Sequence, residues 1–528
     1  SHTAFGKDCG VDLSTGTGNA LFGEGAGADL TTGEHNTAMG YHALFQGTTE
    51  TDDNVAIGYN AMSGAWTTAA VNDCVVIGSG AGAGALVAAA SGSTFIGTAA
   101  GAAITSGIGN TAIGHLALDA AATSDYNTAV GKLALSAVNG DGTGGNTAVG
   151  YAAADVITSG VSNTVVGTSS LGTASTALRN VAIGQEAMGD VKVGVAVADC
   201  VAIGFEALKG NSSNTTDIGG TIAIGTQAAA QVTTGARNIA IGYEALNDLE
   251  DGTDNVVIGY QAMTNVQAGG DQGTSDGSAK NVFMGSYAGG GAWADSVSQQ
   301  NVGIGHRSMY GVMAAANNNV AVGTDTLKVI TSGTQNVCVG FNAGVAVENG
   351  GSNTIVGSNA GTTMAGATAN TFIGKSAGEG VLGIRNTVLG SEALISSNND
   401  CDGIVAVGYG ACAAVNGSGA DYMVAIGYNA GTSIAGGAGN TIVGYVAGDA
   451  LTSGGYNTIM GWGAGGATVD VDNGVFIGRE AAGAGNMTSG ADGTVAIGKD
   501  SLSALTSGSG NTSVGYLTLK TLTTGTGN

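Results

Sequence analysis

Asn110-Thr-Ala-Ile-Gly114 returns as Asn127-Thr-Ala-Val-Gly131, Asn146-Thr-Ala-Val-Gly150, Asn163-Thr-Val-Val-Gly167 and Asn180-Val-Ala-Ile-Gly184. Those glycines are mostly 17 residues apart, and 29 of them follow one another from Gly6 to Gly515 at spacings of 16 to 26. A short period sustained over a whole chain is the mark of a solenoid, in which each repeat stacks on its neighbours. The sequence therefore predicts an all-β chain: a parallel β-solenoid, or β-roll, of about 29 turns, forming one continuous repeat region over residues 1–528.

Composition narrows the alternatives. Glycine accounts for 98 of 528 residues and proline is absent. Without proline or a Gly-X-Y period the chain is not collagen. Hydrophobic residues make up 43% and recur at fixed positions, which argues against disorder. Lys and Arg number 14 against 39 Asp and Glu, a net charge of −25. That balance disfavours nucleic acid and anionic membrane surfaces, which call for basic patches. No apolar run is long enough to span a bilayer, so no membrane insertion is expected of this segment. The six cysteines lack CxxC spacing. Cys74, Cys200 and Cys338 sit inside the repeat and read as small buried residues.

With the signature glycine as position 0, position −1 is large and apolar, −3 is Thr or Val, and −4 is usually Asn. Alternate residues of a strand share a face. On that basis Thr111 and Ile113 are expected to line the coil, with Asn110, Asn127 and Asn146 at a corner where stacked amides bond to neighbouring turns. Gly114, Gly131 and Gly150 supply a positive-φ bend. The Ala at position +3 suggests a point without room. Segments such as Ile104-Thr-Ser-Gly107 and Ile157-Thr-Ser-Gly160 read as a second short strand. Length varies only between that Ala and the next Asn, with insertions at 209–221 and 264–280 expected to project from one side. At about 4.8 Å per turn, such a coil would extend roughly 140 Å.

Position −2 then faces the other way, and it too is apolar: Phe95, Val165, Phe283, Ile355, Phe372, Ile442, Ile459 and Phe476. A strand apolar on both faces wants burial on both. The expectation is a second interface along these eight residues, between parallel copies of the chain.

Val181-Ala-Ile-Gly-Gln-Glu-Ala187 and Val201-Ala-Ile-Gly-Phe-Glu-Ala207 resemble the head repeat of trimeric autotransporter adhesins of the YadA type. The Asn-Thr-Ala-Ile-Gly form is also similar to repeats of bacteriophage tail fibres and other bacterial surface fibres. The resemblance implies a left-handed roll, a side-by-side homotrimer, and an extracellular, cell-surface or virion-surface fibre used for attachment to a surface glycan or protein receptor. The repeat here is longer than adhesin heads usually have, and the chain shows neither a heptad stalk nor a membrane anchor.

Catalytic signatures carry little weight in a glycine-rich repeat. Gly374-Lys-Ser-Ala-Gly378 matches a nucleophile elbow, yet it occupies the positions of Gly340-Phe-Asn-Ala-Gly344, and no His lies on adjacent turns. Glu186 and Glu206 hold equivalent positions on successive turns and invite comparison with the acid pairs of glycosidases. Gln227 and Asn342 at the same position favour a polar ladder. Acidic bends at Asp248–Asp254, 398–402 and Asp470–Asn473 offer oxygen ligands for Ca²⁺ but fit no calcium-loop spacing. No enzyme activity and no cofactor are expected.

Aromatic residues at position +1 are candidates for ligand contact: Tyr41, Tyr59, Tyr243, Tyr260, Tyr409, Tyr428 and Trp462. The sequence thus predicts a structural, adhesive fibre segment. The alternative is a self-polymerising extracellular filament or sheath subunit. Joining Asn528 to a following Ser1 would place the next signature glycine 19 residues after Gly515, the spacing between Gly78 and Gly97. A tail-fibre glycan depolymerase ranks below both.

Overall fold

The computed structural model describes residues 1–46, 50–65, 70–87, 90–139, 144–191, 197–211, 217–264, 277–293, 296–395, 400–415 and 418–528. The insertion segments 212–216 and 265–276 lie outside the described residues, as do 398–399. Contacts divide the chain into two compact units, Ser1–Ile258 and Gly259–Asn528. Each is a parallel β-solenoid with one three-residue strand per turn.

In the first unit the strands run in chain order from β1 (Thr3–Phe5) through β6 (Thr94–Ile96), β7 (Thr111–Ile113), β8 (Thr128–Val130), β9 (Thr147–Val149) and β10 (Thr164–Val166) to β15 (Val256–Ile258). In the second they run from β16 (Val282–Met284) to β29 (Thr512–Val514). Each strand pairs in register with those of adjacent turns: Thr111, Ala112 and Ile113 lie against Thr128, Ala129 and Val130. The repeat is thereby converted into columns, with every position stacking on its equivalents.

The columns alternate across the strand, but with the opposite hand to the sequence expectation. In β7 the middle residue, Ala112, is buried, whereas Thr111 is half-buried and Ile113 is exposed. The same order recurs in nearly every strand, with position −2 enclosed and −3 and −1 facing out. Asn at −4 explains the parity. It is two residues from −2, so both point into the coil, and Asn110, Asn127 and Asn146 are each at most 1% exposed. A buried amide demands partners, and the coil supplies them. The Asn127 N–H donates to Asn110 Oδ1 at 2.9 Å, its Nδ2 donates to the same oxygen at 3.3 Å, and Asn110 Nδ2 donates to the Ser124 carbonyl at 2.7 Å. The Asn column is the stacked amide ladder expected, and it runs inside the coil.

Where Cys replaces Asn in the ladder, it keeps two of the hydrogen bonds. The Cys200 N–H donates to Asn180 Oδ1 at 2.9 Å and its thiol donates to the Ile218 carbonyl at 3.1 Å. Cys74 does the same with Asn54 and Ala90. All six cysteines are free thiols.

Gly114, Gly131 and Gly150 turn the chain out of the strand at φ values of 139°, 136° and 142°. A Cβ at Gly114 would stand 2.5 Å from the Gly131 carbonyl oxygen, so this position excludes side chains on both conformational and steric grounds. After the glycine the bend uses further left-handed residues that are not glycine, among them Leu116 (φ 55°) and Leu118 (φ 52°). Each costs about 1 kcal/mol of backbone strain. Offsetting this, Ala117 and Leu118 are fully buried and the Leu118 N–H donates to the Ala134 carbonyl at 3.0 Å.

The expected second strand is absent from the described residues, apart from isolated bridges such as Val161–Leu178. In Ile104-Thr-Ser-Gly107 the Ile104 side chain plugs the core, but the N–H groups of Thr105 and Ser106 both donate to the Ala122 carbonyl, at 2.8 and 3.1 Å. Two donors converging on one acceptor follow a turn, not an extended ladder.

Candidate functional site

The burial pattern corrects the interface residues. Phe95, Val165, Phe283, Ile355, Phe372, Ile442, Ile459 and Phe476 are each at most 1% exposed within their own coil. They fill the interior because they share the parity of the Asn ladder, and they are not available to another copy. The exposed apolar face belongs to positions −3 and −1. Ile113 is 37% exposed, Ile373 38% and Met460 44%, although neighbouring turns cover each from both sides along the column. No described strand carries a charged residue on this face. At about 3.3 Å per residue and about 4.8 Å per strand, fifteen turns of it form a flat strip of roughly 700 Å² in the first unit alone. Seven of these fifteen strands carry Thr at −3, so the strip joins an apolar column at −1 to a mixed one, and uncharged, largely apolar surface of that extent marks an interaction site.

The outward bend carries the aromatic candidates. Tyr41, Tyr59, Tyr243, Tyr260, Tyr409, Tyr428 and Trp462 are all exposed. In the first unit Tyr41 and Tyr59 stack with centroids 5.4 Å apart. In the second, Tyr409, Tyr428, Tyr445 and Trp462 form one continuous stack at 5.4, 5.2 and 6.1 Å, and the Arg479 guanidinium covers the far end at 5.0 Å from the Trp462 ring. Tyr445, absent from the sequence-derived candidates, completes the run; its signal was its place directly after Gly444. Rings stacked along the coil spend their faces on one another, leaving edges and hydroxyls for solvent. The Tyr409 hydroxyl donates to Glu392 Oε2 at 2.7 Å.

Glu186 and Glu206 do come close together, but Lys209 sits between them. Its ammonium donates to Glu206 Oε1 at 2.7 Å and lies 2.9 Å from Glu186 Oε2. Gln227 Nε2 also donates to Glu206, at 2.7 Å. The Lys209 and Gln227 hydrogen bonds hold the Glu206 carboxyl below its ordinary value against the opposing effect of burial, while Glu206 in turn raises the Lys209 ammonium. A general acid needs the reverse shift. The pair is part of a charged ladder.

The acidic bends are used within the fold. The Gly455 N–H donates to Asp472 Oδ1 at 2.7 Å and the Asp472 N–H to Asp492 Oδ1 at 3.0 Å. Asp254 forms a two-pronged pair with Arg237, at 2.7 and 3.0 Å. Among the described residues, no group of three or more His, Cys, Asp or Glu is placed to hold a metal ion, and no helix is long and apolar enough to cross a membrane. Burial pushes the Cys200 thiol up to about 11 and the Cys412 thiol to about 12. Both stay protonated at neutral pH and poor as nucleophiles.

A groove of 430 Å³ runs along the second unit beside the aromatic stack, lined among others by Trp462, Glu480, Asp500, Ser503 and Lys520. Burial opposes the charged form of Asp500, yet the Lys520 ammonium, with Lys499 nearby, holds its carboxyl below the ordinary value. No protein-family model matches the chain, and no curated protein matches it either.

Proposed function

We propose that this chain is a structural segment of an extracellular fibre, on a cell or virion surface, which associates side by side with further copies of itself and presents its outward bends for attachment. The carrying observation is the uncharged strip, apolar at position −1 and Thr or apolar at −3, repeated on every described strand of a chain whose net charge is −25. A partner that covers such a strip must repeat at the strand spacing, and a parallel second copy does so at every turn. The area of one unit's strip is already close to the ~800 Å² that each partner gives to a standard interface. Three copies is the number implied by the resemblance to adhesin heads.

Internal ladders suit the mechanical part of this role. Amide, aromatic and ion-pair columns tie each turn to the next independently of the hydrophobic core, so bending the coil strains several hydrogen-bonded columns at once. Attachment would then gain from many weak contacts held at fixed spacing. Multi-angle light scattering over a concentration series tests the association. The expected mass is a multiple of 50.6 kDa, and a stable monomer at micromolar concentration would refute lateral assembly. Electron microscopy of the same samples separates lateral bundles from end-to-end filaments, the other arrangement a repeat of this kind permits.

A further inference from the structure

The groove beside Trp462 is bounded by two columns of the repeat. Glu480 and Asp500 come from the second residue after the signature glycine; Asp449, Ser503 and Lys520 come from the fifth. Gly463, Gly466 and Gly483 occupy positions in these columns where other coils carry side chains such as Gln227 and Asn342. Their lack of side chains opens the channel. Trp462 forms one wall and is held in place between the Tyr445 ring, nearly parallel at 4°, and the Arg479 guanidinium.

The lining holds three carboxylates, Asp449, Glu480 and Asp500, and one ammonium, Lys520, with Arg479 and Lys499 pairing from just outside it. Asp500 lies 3.3 Å from the Lys520 ammonium and 3.9 Å from Lys499, and Glu480 lies 3.5 Å from Arg479. Donors and acceptors therefore both line the groove, and carboxylates outnumber ammonium groups in it. An anion would meet three carboxylates, and a metal ion would have to displace the ammonium groups. An apolar ligand would strand the polar atoms at a cost. A polyhydroxyl compound satisfies the whole set: its O–H groups donate to Glu480 and Asp500, its oxygens accept from Lys520 and Ser503, and its C–H groups lie against the open edge of Trp462, whose two faces Tyr445 and Arg479 cover. The groove follows the coil, which suits a chain rather than a compact molecule, and its volume falls in the range of small-molecule sites.

We propose that this groove binds a neutral oligosaccharide chain through Trp462, Glu480, Asp500, Ser503 and Lys520. The inference rests on the attachment reading and specifies its ligand class and place. Calorimetric titration of the full chain with cellotetraose, maltotetraose and chitotetraose tests it. The expected result is saturable binding of at least one, weakened tenfold or more by Trp462→Ala and by Ala484→Trp, which fills the groove from an exposed position. Val11→Ser, at an exposed position on the other unit, should leave binding unchanged. Absence of saturable binding at millimolar sugar, or binding that both groove variants retain in full, would overturn the proposal. Attachment of labelled chain to fixed bacterial cells is measured in parallel. Equal attachment by wild type and both groove variants overturns the groove while attachment stands. Failure of every form to attach removes the attachment reading, and the titration then decides the groove by itself.

Discussion

Asn163 hydrogen-bonds to Asn146 twice: its backbone N–H and its side-chain Nδ2 both donate to Asn146 Oδ1, each at 3.0 Å. Asn163 Nδ2 also donates to the Ala177 carbonyl at 2.8 Å, and its own Oδ1 accepts the N–H of Asn180 at 3.0 Å. Asn163→Leu should leave those buried partners unpaired and cost about 3 kcal/mol. Asn163→Cys should cost less, because Cys200 already fills the ladder with an N–H and a thiol placed to make two of these bonds. Hydrogen exchange of the Thr164 and Val181 amides measures both, with local opening accelerated most in the Leu variant.

Gly114→Ala should be more damaging than its size suggests. The new methyl meets the Gly131 carbonyl oxygen at 2.5 Å, and the backbone φ of 139° is unsuited to any L side chain. A loss of about 3 kcal/mol or more is expected, confined to neighbouring coils by the linear architecture. Limited proteolysis should show a new cleavage site near residue 114. Wild-type resistance in the variant would contradict the close approach.

Phe95 and Ile113 should part company when replaced. Phe95→Ala empties a core position and should cost about 3–5 kcal/mol in coil stability. Ile113→Lys should barely alter the isolated coil, since the site is open to solvent there, but should weaken association between copies. Thermal unfolding and light scattering on both variants separate the two effects.

The Lys209 cluster sets a pH window. Glu206 has a folded value below its ordinary one of about 4.3, so its contribution to stability is present above that value and is lost as pH falls through the folded value. Lys209 is raised, so its contribution is present below about 10.4 and is lost as pH climbs through the folded value. Stability from this cluster should be flat between roughly pH 5 and 10. Tm measured against pH should fall on the acid side in wild type, and fall less in Lys209→Met.

Much of the fold was legible because one word recurs: the repeat length, the bend at the signature glycine and the crowded Ala at +3 all follow from Asn-Thr-Ala-Ile-Gly and its context. The inside and outside of the strand were not. Both faces of a three-residue strand are apolar here, so hydrophobicity cannot rank them. The stacked Asn amides were legible, but not that they point into the coil, and without that the parity of Thr111, Ala112 and Ile113 came out reversed. The segment at Ile104 has a strand's composition but shares one acceptor between two donors, a geometry that residue preference does not encode. At the bends, Tyr445 was visible from its position, whereas the groove beside it depends on which columns lack side chains.

The central claim is that the Ile113 column, and not the Ala112 column, meets a second copy. Oxidative cross-linking tests it most directly, in a Cys9→Ser background that removes the one half-buried native thiol. Ile113→Cys should give a disulfide-linked dimer on denaturing gels, because equivalent residues face one another across a parallel interface in register. Ala112→Cys should stay unreactive until the coil unfolds, because this repeat position is enclosed, as it is at Cys338. Cross-linking through residue 112 in the folded protein, or none through residue 113 at concentrations where the chain associates, would contradict the account.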